Sequence, residues 1–261
     1  MLGFIRAGSA ALAAVLAFTL VSASEAEAQE LARLYQVTPT DAGAFEAALA
    51  DHVEHRIEQG DPWYWTVMQV VSGEDFGDFV YRSGGHEWAD FDAYDEGFGV
   101  QATRHYAENV APLVANTRQW VTFSDTANSR PPAVDEWEDI HLISVTTYHL
   151  EPGMQQDFDE VIGTIHGAIV EADWPAHYSW QYMAAGTGGP QKVLAVFHQN
   201  WADFEQPETP FMEMLHEQLG EDEAKSVMER LGETYRYIEN TVLRIRRDLS
   251  VSPPSARDGQ G

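Results

Sequence analysis

Polar side chains in the second half of the chain could support acid–base or binding chemistry. His177, Ser179 and Gln181 alternate along a segment rich in aromatic residues, and His198 ends a later segment of similar character. Residues two apart on a strand point to the same side of a sheet. Buried polar groups need hydrogen-bonding partners or a ligand, so this face predicts a pocket with His177 as a general base near neutral pH.

Other residues of the second half complete the predicted site, and a simpler interpretation exists. His166 is a second catalytic candidate, while Tyr148 and Trp201 are candidate ligand contacts. His177 and His198 could together hold a metal ion, but a pair without a third ligand at fixed spacing does not specify a site, so no metal is predicted. Plain hydrogen-bonded packing is the alternative for this pair.

A competing site lies in the first half of the chain. His52 and Arg56 are one helical turn apart, at positions where the second half has Ile165 and Ile169. A polar group that replaces an apolar one on a helix face indicates either a ligand contact or a position at the rim of the apolar stripe. Both interpretations stay open, and with them the question of which half holds the pocket.

The two halves can be compared because the sequence repeats itself. Trp88-Ala89-Asp90-Phe91 recurs as Trp201-Ala202-Asp203-Phe204, and the spacing of 113 residues also relates Tyr35 to Tyr148. Downstream the spacing becomes 124, because Asn116-Thr117 matches Asn240-Thr241. Such an internal repeat indicates that the chain contains two copies of one structural unit. The eleven additional residues of the second copy are expected to act as a lid over a pocket.

Each copy predicts the order β-α-β-β-α-β. In the first copy the predicted strands are 31–37, 63–71, 79–82 and 117–123, with a helix over 41–58 capped by Thr40 and an irregular helical region to about residue 115. In the second copy the strands are 141–150, 177–185, 193–198 and 243–247, and the helices are 155–172, 211–219 and 221–238. Residues 124–140 read as a linker between repeats 29–123 and 141–249, and residues 250–261 as a disordered tail.

This order predicts an α+β fold of two tandem ferredoxin-like units. One sheet face of an isolated unit would be open, and two units in one chain can hide these faces against each other in an intramolecular barrel. The layout resembles the dimeric α+β barrel superfamily over residues 31–123 and 141–247. Its members include antibiotic-biosynthesis-type monooxygenases, haem-degrading monooxygenases, NIPSNAP-like proteins and stress-responsive barrel proteins. The most family-like residues are Trp88 and Trp201, expected to cover the junction of sheet and helix.

The resemblance implies a pocket for a small molecule and leaves the activity open. The family's haem degraders use an asparagine on the first strand and a histidine on the second helix. Neither copy has that asparagine, and His105 and His216 in the second helical regions cannot be matched residue by residue. No cofactor is therefore predicted, with haem as the alternative.

The beginning and the composition of the chain indicate where it works. Residues 1–28 have the basic start, apolar run and small-residue site of a signal peptide, which predicts cleavage before Gln29 and a periplasmic or secreted protein. A formal charge of −27 makes nucleic acid and anionic membranes poor partners, and it suits either solubility or high salt. The absence of cysteine excludes thiolate catalysis and disulfides.

The sequence thus predicts an exported barrel that handles a small apolar or aromatic ligand between the helices and the sheet of the second repeat. The enzyme version is a cofactor-independent, monooxygenase-like protein. The alternatives are a non-catalytic protein that binds haem or another small molecule, and a structural or stress-related barrel. Barrel closure within one chain is expected, and further oligomerisation is left open.

Overall fold

The computed structural model describes residues 30–186 and 188–251, so the predicted leader and most of the predicted tail lie outside it. Its first half contains β1 Leu31–Pro39, α1 Ala42–Glu58, β2 Thr66–Ser72, β3 Phe79–His86, α2 Trp88–Glu96, α3 Phe98–Asn109 and β4 Val114–Arg130. Its second half contains β5 Leu142–Leu150, α4 Gln155–Glu171, β6 Tyr178–Ala185, β7 Gln191–His198, α5 Phe211–Leu219, α6 Glu221–Glu233 and β8 Tyr235–Ile245. None of the described helices is long and apolar enough to cross a bilayer.

The eight strands pair antiparallel in the order β1-β3-β2-β8-β5-β7-β6-β4, and β4 pairs again with β1. The mixed α+β class predicted from the sequence is confirmed. Within each half the neighbours follow the ferredoxin-like pattern. Two further ladders join the halves: β2 meets β8, with Met68 opposite Ile245, and β4 meets β6, with Ser124 opposite Gln181. We refer to this closed order as the ring.

The two faces of the sheet carry different side chains, because successive residues of a strand alternate in direction. The outer face packs against the helices in two clusters, one around Phe45 and Phe79 and the other around Phe158 and Leu215. The inner face carries a third apolar cluster that contains Leu34, Met68, Val70, Val80, Ile143, Ala195 and Leu243. The helices therefore leave the inside of the ring to side chains from the strands alone.

Strand β4 is longer than predicted and includes the first part of the expected linker. The polar stretch after Phe123 lacks an apolar period, yet it pairs with β6 as far as Arg130 opposite Tyr178. Side chains support this pairing: Ser129 Oγ accepts from the backbone N–H of Trp180 at 2.8 Å. The strand is thus specified by a partner from the other half rather than by its own pattern.

Three helix and tail boundaries also differ from the prediction. Asp41 caps α1 instead of Thr40, because the Asp41 carboxylate accepts from the N–H of Ala44 at 2.9 Å. Helix α6 ends at Glu233, and the next residues join β8 because Tyr235 pairs with β5. Val251, placed in the predicted tail, is buried and bridges to the backbone of Trp65.

Candidate functional site

A cavity of about 1990 Å³ lies inside the ring and is lined by residues from all eight strands. Eight strands form a ring wide enough to hold one small ligand when side chains do not fill it. The middle of the wall is apolar and includes Leu34, Met68, Ile143, Val145 and Leu243. An apolar wall with a few polar groups is the usual form of a ligand site, so this cavity is the candidate site.

One mouth of the cavity is rimmed by polar side chains that mostly pair with each other. Arg118 contacts Asp75 at 2.6 Å, and Gln36 donates to Asp78 at 2.8 Å. His149 is packed on Tyr237 at a ring distance of 4.0 Å. Its Nε2 lies 3.2 Å from a Glu239 carboxylate oxygen, close enough for an ion pair but without hydrogen-bond geometry.

The other mouth is covered by the segment between the two halves. Trp137 and Val134 line the cavity there, and the Trp137 ring meets Phe197 edge-on at 5.0 Å. Arg247 fixes the segment by donating to the backbone carbonyls of Trp137 and Ile140 at 2.5 and 2.7 Å. The segment between the two halves thus forms part of this mouth.

Arg82 enters the cavity from β3 on the same face as Val80. Across the ladders it faces Leu34 on β1 and Thr66 on β2. Its side chain makes no hydrogen bond or ion pair within the described part of the chain, and its Nε is buried without a partner. Gly84 gives it room, since a Cβ there would stand 2.6 Å from Arg82 Nη1.

Two of the predicted site residues lie in the cavity wall. Ser179 and Gln181 point inward from β6, and Gln181 Oε1 accepts from Thr122 Oγ1 at 3.2 Å. Trp180, which lies between them, and Tyr178, which precedes Ser179, point outward into the helix-covered core. The site therefore belongs to the inside of the ring, and the predicted location between helices and sheet is not where these polar groups point.

The predicted histidines do not meet at this cavity. On the outer face, His166 Nδ1 of α4 is hydrogen-bonded to the Tyr178 hydroxyl at 2.8 Å, and burial lowers the pKa of His166. His198 Nε2 contacts Ser144 Oγ at 2.9 Å, and burial lowers its pKa as well. His177 is partly exposed, with its Nε2 4.0 Å from Glu136. His177 and His198, which could have formed a metal-binding pair, thus have separate partners.

The two predicted aromatic contacts also have other roles. Tyr148 packs among Phe158, Trp180 and Tyr235, and burial raises the pKa of its hydroxyl to about 12. Trp201 is 51% exposed and its counterpart Trp88 56%, so neither indole covers the junction of sheet and helix as expected. Trp88 begins α2 and Trp201 begins a short 3-10 helix, and among the aromatic rings described Trp201 contacts only Phe204.

The competing site around His52 and Arg56 is a packed contact between helices. His52 is 3% exposed, and its Nδ1 lies 3.0 Å from Nδ1 of His105, which stacks on His55 at 4.0 Å. Arg56 forms an ion pair with buried Asp61 and donates to the Tyr94 hydroxyl at 2.7 Å. No group of three or more His, Asp or Glu side chains within residues 30–186 and 188–251 is arranged to hold a metal ion.

Haem does not fit the helix-covered side of the second half. The space between α4 and the sheet is filled by Phe158, Met214 and Leu215, each at most 1% exposed. Helix α5, from the longer helical segment that was expected to form a lid, supplies Met214 and Leu215. A porphyrin there would have to displace this core, so no chemistry is derived from haem.

Sequence reasoning missed Arg82 and Lys192. Lys192 is 2% exposed, and its ammonium contacts Asp159 at 2.5 Å. Its signal was its rarity, because the chain has only one other lysine, Lys225. The sequence indicated only weakly which way Arg82 points. It lies two residues from Val80 and therefore on the same face of β3, but that face becomes an interior only because the ring closes.

Comparison with protein families and with curated proteins finds no match to this sequence. Solved structures share its fold. An anthrone oxidase-like protein matches with a TM-score of 0.53 and 11% identity over 85% of this chain and 93% of that one. A monooxygenase-like protein from Lactobacillus acidophilus gives 0.52 and 8% over 86% and 97%. A chlorite dismutase mutant from Candidatus Nitrospira defluvii gives 0.50 and 8% over 84% and 92%. At these identities the likeness is one of fold alone.

Proposed function

We propose that this protein binds a small apolar or aromatic molecule in the cavity inside its ring of strands. The observation that carries the proposal is the cavity of about 1990 Å³, with an apolar middle and polar groups near both mouths. Ligand pockets of proteins are usually about 300–1,000 Å³, so one small molecule would occupy only part of this space. The anthrone oxidase-like and monooxygenase-like neighbours are compatible with such a ligand but do not identify it.

The proposal includes an origin by duplication. Two ferredoxin-like repeats in one chain would supply both halves of a barrel that single-repeat relatives close by dimerisation. The ladders from β2 to β8 and from β4 to β6 support this, because each joins a strand of one half to a strand of the other. The ligand site would then be complete in one chain, without a second copy.

The positions of the predicted catalytic histidines favour binding over general-base catalysis, and His149, the one histidine in the described cavity lining, stacks on Tyr237 at a mouth. His166 and His198 use ring nitrogens for Tyr178 and Ser144, and both rings lie outside the cavity wall. A general base must reach the proton that it abstracts within hydrogen-bond distance. A monooxygenase-like activity therefore stays the second version of the proposal, to be tested once a ligand is identified.

Narrowing the apolar middle of the cavity is expected to weaken binding of an apolar probe. Val145→Trp adds an indole to the apolar middle of the wall, and we expect it to weaken binding of the neutral dye N-phenyl-1-naphthylamine at least about tenfold. Fluorescence titration measures the affinity, and native mass spectrometry of the purified protein would identify a ligand that it already carries.

The matched control is Thr146→Trp, which adds the same side chain at the next position of β5, outside the cavity lining. It should leave dye binding unchanged. Absence of saturable binding to the unmodified protein, or an equal loss in both variants, would contradict the proposed site. Titration with haem, followed by its absorption spectrum, tests the alternative ligand on the same samples.

Export is also proposed, from the signal-peptide layout of residues 1–28. Protein recovered from the periplasm or the medium of the producing cells is expected to begin at or near Gln29. N-terminal sequencing or intact mass measures this directly. Material that accumulates in the cytoplasm with Met1 or Leu2 at its start would contradict it.

A further inference from the structure

Arg82, which lines the cavity, has no acidic partner among the described residues, although the chain is strongly acidic. The sequence has 42 acidic residues and 15 lysines and arginines, so carboxylates are abundant partners. Arg118, which also lines the cavity, is paired with Asp75, and buried Arg33 is paired with Asp95 at 2.6 Å. Arg82 has no such partner among the described residues, although its Nε is buried.

A guanidinium held partly away from water is favoured by a negative partner. An ionised group that loses hydration without gaining a counter-charge destabilises the fold. Arginine is suited to a planar carboxylate, because its N–H groups can donate two parallel hydrogen bonds to the two oxygens. The unpaired state of Arg82 thus leaves binding capacity for an anion that enters the cavity.

The surroundings of Arg82 restrict the charge and the shape of that anion. Arg82 has Leu34 and Thr66 as its ladder neighbours, and Arg247, which also lines the cavity, already donates to two backbone carbonyls. A single guanidinium balances one negative charge, so a monoanion is matched better than a phosphate dianion. Beyond it the wall is apolar, with Met68, Ile143 and Leu243.

We infer that the ligand of this cavity is an amphipathic carboxylic acid, with its carboxylate on Arg82 and its apolar body against the middle of the wall. This inference rests on the proposed function, since it requires that the cavity bind a small molecule. It adds the chemical class of the ligand and the residue that selects it. Gly84 contributes because it has no side chain, which leaves space for the Arg82 guanidinium above the strand.

A matched pair of competitors tests the inference. 2-Naphthoate and 2-naphthamide have the same ring and nearly the same shape, but only the first is charged at neutral pH. Each is used to displace N-phenyl-1-naphthylamine from the protein. We expect the acid to displace the dye at a concentration about tenfold lower than the amide, as for one charge-assisted hydrogen-bonded pair.

Variants assign the preference to Arg82. Arg82→Gln should abolish it by weakening the acid about tenfold and leaving the amide unchanged, and Arg82→Lys should restore part of it. Arg118→Gln is the matched control, because it removes a cavity-lining arginine that already has Asp75 as its partner. It should keep the full preference.

The outcomes separate the inference from the function on which it rests. Failure of the dye to bind contradicts the proposed function itself. Saturable dye binding with equal displacement by acid and amide overturns the inference and leaves the function standing. A preference for the acid that survives Arg82→Gln, or that disappears in Arg118→Gln, overturns the assignment to Arg82.

Discussion

Mild acid is expected to destabilise the protein through the buried histidine of α1. His52 packs against His105 and Tyr106 of α3, with Arg56 and His55 on its own helix. Burial, and then the positive charges of Arg56 and the neighbouring histidines, lower the pKa of His52 from 6.5 to about 3. The folded protein therefore holds a neutral imidazole, whereas the unfolded chain takes up a proton below pH 6.5.

The sign and size of the effect follow from this difference. The contribution of His52 is fully present above pH 6.5 and is lost as the pH falls towards 3, because only the unfolded state gains the proton. At 1.36 kcal/mol per pH unit, the free energy of unfolding should drop by about 2 kcal/mol at pH 5 and roughly 4 kcal/mol at pH 3.5. Burial also lowers the pKa of His86 and His105, which adds to the same trend.

Urea denaturation at a series of pH values measures this dependence. His52→Gln should be less stable near neutral pH and should show a shallower loss of stability with acid. His216→Gln, which changes an exposed histidine of α5, is the control and should follow the unmodified protein. If His52→Gln keeps the full slope, other groups cause the acid sensitivity.

Removing the partner of the buried lysine should cost more than removing the lysine itself. Asp159→Asn leaves the ammonium of Lys192 buried without its closest counter-charge, for which a loss of about 3 kcal/mol is expected. Burial lowers the pKa of Lys192, and Asp159 opposes that shift. Lys192→Met replaces the charge by an apolar chain of similar length, with an expected cost of about 1 kcal/mol or less.

The order of the two costs is the test, measured by denaturant unfolding near neutral pH. The surface pair Lys225–Glu229 is a control, since both side chains are well exposed and Glu229→Gln should change stability by less than about 0.5 kcal/mol. An equal cost for Asp159→Asn and Lys192→Met would mean that packing of the lysine stem, rather than its charge, determines stability here.

The repeat made much of the fold predictable, because each predicted strand could be checked against its counterpart. The apolar period of Phe45 and Leu49 identified α1, and the same spacing identified its partner helix at Phe158 and Ile162. The end of β4 was not predictable in this way. Its polar residues from Ser124 onwards become a strand only because β6, far along the chain, offers them hydrogen bonds.

The candidate site was predictable only in part. Alternation placed Ser179 and Gln181 together on one face, but it could not tell whether that face turns towards helices or towards the other repeat. His166 and His198 were predicted as site residues, but in the structure their ring nitrogens contact the Tyr178 hydroxyl and Ser144 Oγ. Arg82 was overlooked because the predicted strand 79–82 ended at it, whereas β3 continues to His86 and its inner face lines the cavity.

The ring of strands also bears on how copies of this protein can meet. Every described strand has two hydrogen-bonded neighbours, so the sheet offers no free edge on which another chain could add a strand. Aggregation by edge pairing would first require the ring to open. Strand β2 is the weakest point, since it has only four paired positions with β3 and four with β8. Native oligomers, if they form, must therefore use helix surfaces and loops rather than a shared sheet.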